Sequence, residues 1–316
     1  MPDLQDYLRM FADLNVNKAR GDSRPHKPCL LLAMIDLVES GAVTDGRVRY
    51  TPALREIFSE YFAIVSKPEH RDRPYYPFFY LKPTRSKPES FWKIKVKEGR
   101  EADFARITTP SHLQMEEYTE YAEIDPDLFA YLLNPESREA LRNRLIQWFP
   151  DHQRALNEKI ASHRESNSYE RGLREAVAGV PAVHEPLPST YTRDRAFRRL
   201  VLEAYDYRCA ASGWRLIAPG NRILVQAAHL IPHSESQDDD PRNGIALTPN
   251  FHWALDQRII APGTDMKWHV SKAVDERIAD NRPLLDLKGK DVIIPDKQSM
   301  RPRKDALEWR LERLLA

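Results

Sequence analysis

Leu4, Tyr7, Leu8 and Phe11 recur at helical spacing behind Asp3, which predicts an amphipathic first helix capped by that carboxylate. After the polar stretch Asn15–Arg24, the words Arg24-Pro25-His26-Lys27-Pro28 lead into the continuous apolar run Cys29–Val38. That run predicts a buried helix ending near Gly41, the core of a first domain. Farther on, Phe91-Trp92-Lys93-Ile94-Lys95-Val96-Lys97 alternates, so one face of a strand is core and the other a row of lysines. Between these elements, Arg71–Leu81 carries prolines that forbid a regular helix and more aromatics than a solvated loop needs. A buried corner or a binding surface is expected there. Asp127–Phe149 resumes helical spacing as two helices broken at Asn134-Pro135, followed by a polar stretch to about Ser168 and a Pro-rich, extended linker over Val177–Pro188. The last part opens with a helix over Asp194–Ala204 and closes with one over Lys304–Leu315. Between them, Arg222–Ala228 has strand composition and delivers His229 to the strand's end, where Leu230-Ile231-Pro232 turns the chain away.

At 316 residues the chain is too long for one small core and suits two domains. The pattern places them at 1–165 and 193–316, joined by a helix and linker over 166–192, in an α+β class. With 41% hydrophobic and 30% charged residues, disordered and collagen-like classes are excluded. No apolar run approaches the roughly 20 residues that cross a bilayer, and Asp3, Asp6 and Arg9 interrupt any secretory signal, so a cytoplasmic protein without a membrane partner is expected. Two cysteines, Cys29 and Cys209, exclude a disulfide framework and a four-cysteine zinc site. Any metal must be held mainly by His, Asp, Asn or Glu. The net charge of +1 conceals an asymmetry: Ser66–Arg100 has ten Lys/Arg against four Asp/Glu, and Glu101–Ala130 one Arg against eight acids.

The chemistry-bearing residues fall in the order His229, Asn243, His252, Asp256. If Asn250–Ile259 is helical, His252 and Asp256 stand one turn apart on one face and can share a divalent ion. An unperturbed imidazole titrates near pH 6.5 and can take a proton from water at neutral pH.

The words Cys209-Ala-Ala-Ser-Gly213, Ala227-Ala-His-Leu-Ile-Pro232, Asn243-Gly-Ile-Ala-Leu247 and His252-Trp-Ala-Leu-Asp256 stand in the order found in the HNH nucleases. The chain over Arg193–Ala316 therefore resembles that ββα-metal family of hairpin, loop and ligand-bearing helix. The resemblance implies His229 as general base on a water, Asn243 fixing the loop that orients it, and His252 with Asp256 as metal ligands. It departs from the wider family at Ala228, where Asp or His is often a further ligand. Two side-chain ligands with water and phosphate suit Mg²⁺ or Mn²⁺ better than a tight zinc site, and Gln226, on the strand face of Ala228, is placed to assist. His233 and His269 read as structural, and Cys209 with Gly213 as a packed turn.

A cutter needs a unit that chooses its substrate. Pro25-His26-Lys27-Pro28-Cys29-Leu30-Leu31-Leu32-Ala33, Tyr76-Pro77-Phe78-Phe79-Tyr80-Leu81 and Phe91-Trp92 look like the sulfur-binding domain that precedes HNH modules in McrA-type restriction enzymes. The resemblance spans about residues 3–150 and implies a mixed α/β reader of phosphorothioate-modified double-stranded DNA. Sulfur is larger and more weakly hydrated than oxygen, so a small apolar cup favours it, and Tyr76 and Pro77 are the expected cup. Arg24, His26, Lys27, Arg71 and Arg73 are expected on flanking phosphates or base edges, and Lys93, Lys95 and Lys97 along the backbone. Against this stands a plain buried turn at Phe78 and Phe79, with Pro28 in a helix's first turn. Two further alternatives are a reader of methylated bases and a DNA-binding protein whose nuclease site has decayed. One metal site per chain makes a homodimer a reasonable way to cut two strands.

Overall fold

The computed structural model describes residues 2–16, 18–19, 22–81, 91–180, 188–218 and 221–316. Most of the linker expected over Val177–Pro188 lies outside them. The chain divides into two compact units, Met1–Arg171 and Gly172–Ala316, each mixing helices with small antiparallel sheets. No helix among the described residues is long and apolar enough to cross a membrane.

In the first unit, α1 (Leu4–Ala12) starts at a reciprocal capping box in which the Asp3 and Asp6 carboxylates accept each other's backbone N–H. Helix α2 (His26–Glu39) is buried at every position from Pro28 to Glu39 and is the core element. Strand β1 (Arg47–Val48) precedes α3 (Pro52–Val65), which packs along α2, and then comes the short α4 (Tyr75–Tyr80). Prolines had argued against a helix there. Pro74 instead sits at the N-cap and Pro77 in the first turn, where backbone N–H groups have no intrahelical partner to lose. Strand β2 (Trp92–Val96) alternates as expected, with Trp92 buried and Lys93 and Lys95 exposed. It pairs antiparallel with β3 (Thr119–Ile124), giving a three-stranded sheet in the order β1-β3-β2. Helices α5 (Pro126–Leu133) and α6 (Pro135–Ile146) break at Asn134, whose side chain caps the second.

The polar stretch to Ser168 is not a loop but most of α7 (Gln153–Val177), a helix of 25 residues. Its inner face is largely polar because it answers carboxylates that α2 carries into the core. Asp36 Oδ2 accepts from Tyr61 at 2.7 Å and faces His163 Nδ1 at 2.6 Å, while Arg142 Nη2 lies 3.2 Å from Asp36 and 2.8 Å from Glu39. Burial by itself would raise the Asp36 carboxyl, but the His163 hydrogen bond and the His163 and Arg142 charges hold it below the ordinary range.

The second unit begins with α8 (Thr190–Ala204). Strands β4 (Gln226–His229) and β5 (Gly244–Leu247) form an antiparallel hairpin in which His229 opposes Gly244. The strand expected from Arg222 is interrupted, since Arg222–Ile223 pairs with Ile217–Ala218 instead. Helix α9 (Pro249–Asp256) follows the hairpin and ends three residues short of Ile259. A second hairpin, β6 (Ile260–Pro262) with β7 (Trp268–Val270), and the closing helix α10 (Lys304–Glu312) complete the unit.

Gly244 is required by space. A Cβ there would lie 2.3 Å from Val201 Cγ2 and 2.9 Å from the Phe197 ring. Gly244→Ala is expected to cost about 1–3 kcal/mol by overpacking, seen as a lower urea midpoint. A midpoint equal to that of the unsubstituted chain would refute this close contact.

Candidate active site

The hairpin and α9 bring the predicted residues into two neighbouring groups. Thr248 stands at the N-cap position of α9 without a side-chain cap, and its N–H donates to the buried Cys209 Sγ at 3.4 Å, so the thiol expected in a packed turn holds the helix start. Phe251, Ala254 and Leu255 face the core, which turns His252, Trp253 and Asp256 outward. His252 Nε2 lies 3.5 Å from Asp256 Oδ2, and His252 Nδ1 donates to Gln226 Oε1 at 2.9 Å. An amide oxygen can only accept, so Gln226 fixes the proton on Nδ1 and leaves the Nε2 lone pair directed toward the carboxylate.

This nitrogen and oxygen pair fits one divalent ion. Among the described residues no group of three or more His, Cys, Asp or Glu is arranged to hold a metal. Water and phosphate would fill the rest of the shell around an ion held by this pair.

The second group surrounds His229. Its ring lies flat on Phe197 of α8, 3.8 Å between centroids and 3° between planes. Neither ring nitrogen has a hydrogen-bond partner among the described residues, and the buried Nε2 is 3.6 Å from Asp239 Oδ1. Arg193 Nε pairs with Asp239 Oδ2 at 3.0 Å, and Arg193 also donates to His233 at 2.6 Å. His233, read as structural from sequence, thus lies beside the site, its ring 5.9 Å from that of His229. His269 does not, since it bonds Asp265.

Asn243 is fully buried beneath the turn after His229. Its Oδ1 accepts the Ile231 N–H at 2.9 Å, and its Nδ2 donates to the carbonyls of Ile231 at 3.0 Å and Asp238 at 3.2 Å. The acidic run Asp238–Asp240 is held from outside, with Arg303 2.7 Å from Asp238 and 3.3 Å from Asp240.

Sequence reasoning missed Phe197, Asp239 and Arg310, all of which touch His229 or its backbone. Asp239 had a signal in the acidic run before Asn243. Phe197 and Arg310 had none, being remote in sequence and ordinary in local pattern.

The residues expected on DNA in the first unit fall into smaller sets. The His26 ring packs 4.8 Å from that of Phe62, and its Nε2 donates to the Arg71 carbonyl at 2.8 Å. The Arg73 guanidinium lies 5.6 Å from the Tyr76 ring, and Tyr76 stacks with Tyr80. Pro77 is buried, Arg24 is exposed, and Lys27 donates to the Asn15 carbonyl at 2.6 Å. Lys93 and Lys95 stand on the open sheet face across from Glu123 and Tyr121.

Burial pushes His26 from its ordinary 6.5 to about 4, so it is neutral at pH 7 and supports Arg71 as a donor rather than a cation. Between these values the unfolded chain binds a proton that the folded chain refuses, so stability present above pH 6.5 is lost as the pH falls. Going from pH 7 to pH 5 is expected to cost on the order of 1–2 kcal/mol through this ring. Urea unfolding of His26→Gln should show a flatter pH dependence, and parallel curves would reject the assignment.

Residues 209–261 match the family described as HNH endonuclease, HNH_2. No curated protein matches the chain. A solved structure described as "Modification dependent TagI restriction endonuclease" is similar at 18% identity and a TM-score of 0.31, over 44% of this chain and 42% of that one. The chain thus spans less than half the length of that protein. Residues 209–261, with the hairpin that carries His229 and the helix that carries His252, are an HNH endonuclease domain.

Proposed function

We propose that the chain is a divalent-metal-dependent DNA endonuclease whose first unit selects phosphorothioate-modified DNA for cutting by the second. The observation that carries the cutting reaction is the pairing of His252 Nε2 with Asp256 on α9, oriented by Gln226, in the same ββα element that ends its first strand at His229. His252 and Asp256 would hold the divalent ion, which would supply positive charge to offset that developing on the phosphate. His229 acts on the water. With its Nε2 proton directed to Asp239, Nδ1 carries the lone pair that takes the water proton as the oxygen attacks phosphorus and the bond to the 3′ oxygen breaks. The carboxylate then stabilises the imidazolium, and the flat Phe197 contact keeps the ring from turning. Asn243 acts through the turn it clamps and touches no reacting atom.

In the first unit, the Tyr76 ring beside Arg73 offers sulfur an apolar and polarizable wall flanked by positive charge, next in sequence to the buried Pro77. Arg24, Lys27 and Arg71, the last held through its carbonyl by His26, serve the flanking phosphates, and Lys93 and Lys95 track the backbone.

The deciding experiment incubates the purified chain with one plasmid in phosphorothioate, methylated and plain forms, with Mn²⁺ or Mg²⁺ and again with chelator. Cutting of the sulfur form alone, abolished by chelator and by His252→Ala, is expected. Preference for the methylated form or equal cutting of all three would overturn the reader, and no cutting with either ion would overturn the nuclease.

A further inference from the structure

Arg310 carries a charge into the core of the second unit with no carboxylate within ion-pair distance among the described residues. It is 2% exposed. Three backbone carbonyls receive its guanidinium instead: Nε donates to Leu230 at 2.7 Å, Nη2 to His229 at 2.9 Å and Nη1 to Leu255 at 3.2 Å. Two of these carbonyls belong to the residue assigned as base and to its neighbour, and the third to the residue just before Asp256. A planar, five-donor fork satisfies the end of a strand and the end of a helix at once, which an ammonium on a flexible stem does less well. Isolated buried charge is costly, and burial lowers this guanidinium to about 10, so the placement offsets a penalty that an apolar residue would avoid.

We infer that Arg310 is a positioning residue that sets the distance between the base-bearing end of β4 and the ligand-bearing end of α9. It lies on α10, outside the 209–261 stretch. The inference rests on the nuclease reading above for its catalytic meaning, but the strut itself is a statement about two backbone segments. It differs from the role of Asn243, which ties His229's turn to the acidic loop and makes no bond to α9. It also explains why the chain keeps a cation here, since Leu or Met would fill the space but strip the donors from the carbonyls of His229 and Leu230, whereas Leu255 would keep the Arg258 N–H at 2.9 Å.

The test uses the full chain as wild type, Arg310→Lys and Arg310→Ala, each first checked for a cooperative unfolding transition. Amide hydrogen exchange without metal or DNA reads the strut directly. Exchange over residues 229–231 and 255–258 is expected to speed up together in Arg310→Ala, about tenfold or more, with less change in Arg310→Lys and none over Leu200–Leu202 of α8. Cleavage reads its consequence: kcat falls by about a hundredfold with KM within a few-fold, as for a misplacement of reacting groups by about 1 Å. Low concentrations of guanidinium should restore part of the rate to Arg310→Ala, and methylammonium should not. Exchange that is unchanged, or that changes in only one of the two segments, overturns the strut whether or not the protein cuts DNA. Wild-type kcat in a variant whose two segments exchange faster overturns the positioning role, and a wild type inert on every DNA would overturn the nuclease reading, with exchange still deciding the strut.

Discussion

His229→Ala should reduce single-turnover cleavage by about a thousandfold at saturating metal, the loss expected when a positioned general base is removed. The variant should keep its fold, because the ring makes no hydrogen bond among the described residues and its main packing partner, Phe197, remains. Metal uptake should persist, since His252 and Asp256 are untouched. His269→Ala serves as a control and should cut at the wild-type rate, its ring being bonded to Asp265 at a separate hairpin. Cleavage by His229→Ala within a few-fold of wild type would remove the base from this residue and require another acceptor for the water proton.

The largest effect on stability should come from the first unit. Arg142→Met removes a side chain that is 1% exposed and pairs with Asp36, Glu39 and Glu139. Breaking a buried pair by removing one partner leaves carboxylates without compensation, and a cost of about 3–5 kcal/mol is expected. His163 still faces Asp36 from α7, so the loss should fall more on Glu39, on the same buried helix. The urea midpoint of the first unit reads this directly. A cost under about 1 kcal/mol would mean that Arg138 and Asn167, both within reach of Glu39, compensate for the missing guanidinium.

The same charges explain what the sequence concealed. Helices α1, α2, α5 and α6 and the alternating strand β2 announce themselves through apolar spacing and caps, and the structure forms them close to the expected limits. Helix α7 does not, because four of its six buried positions, His163, Ser166, Asn167 and Glu170, are polar, and His163 and Asn167 bond carboxylates far away in sequence. A hydropathy pattern records contact with oil, and this helix is buried against ions. Helix α4 was hidden for a different reason: proline excludes a helix's interior but not its first turn.

The candidate site divides in the same way. His252 and Asp256 stand one turn apart on a short helix, so the spacing between them is visible in the letters. The support for His229 comes from Phe197 and Arg310, on helices that enclose the hairpin from either end of the unit, and no local window contains both. Asp239 was within view but belonged to a run of acids that reads as an ordinary solvated face.

The placement of Phe197 before residue 209 and of Arg310 after residue 261 bears on any attempt to transplant the cutting activity. A cassette trimmed to the family's own limits would carry His229, His252 and Asp256 but neither the ring beneath the imidazole nor the clamp that joins strand to helix. A fusion intended to aim this chemistry at a new address should therefore take the chain from Ser189, the cap of α8, to the end of α10.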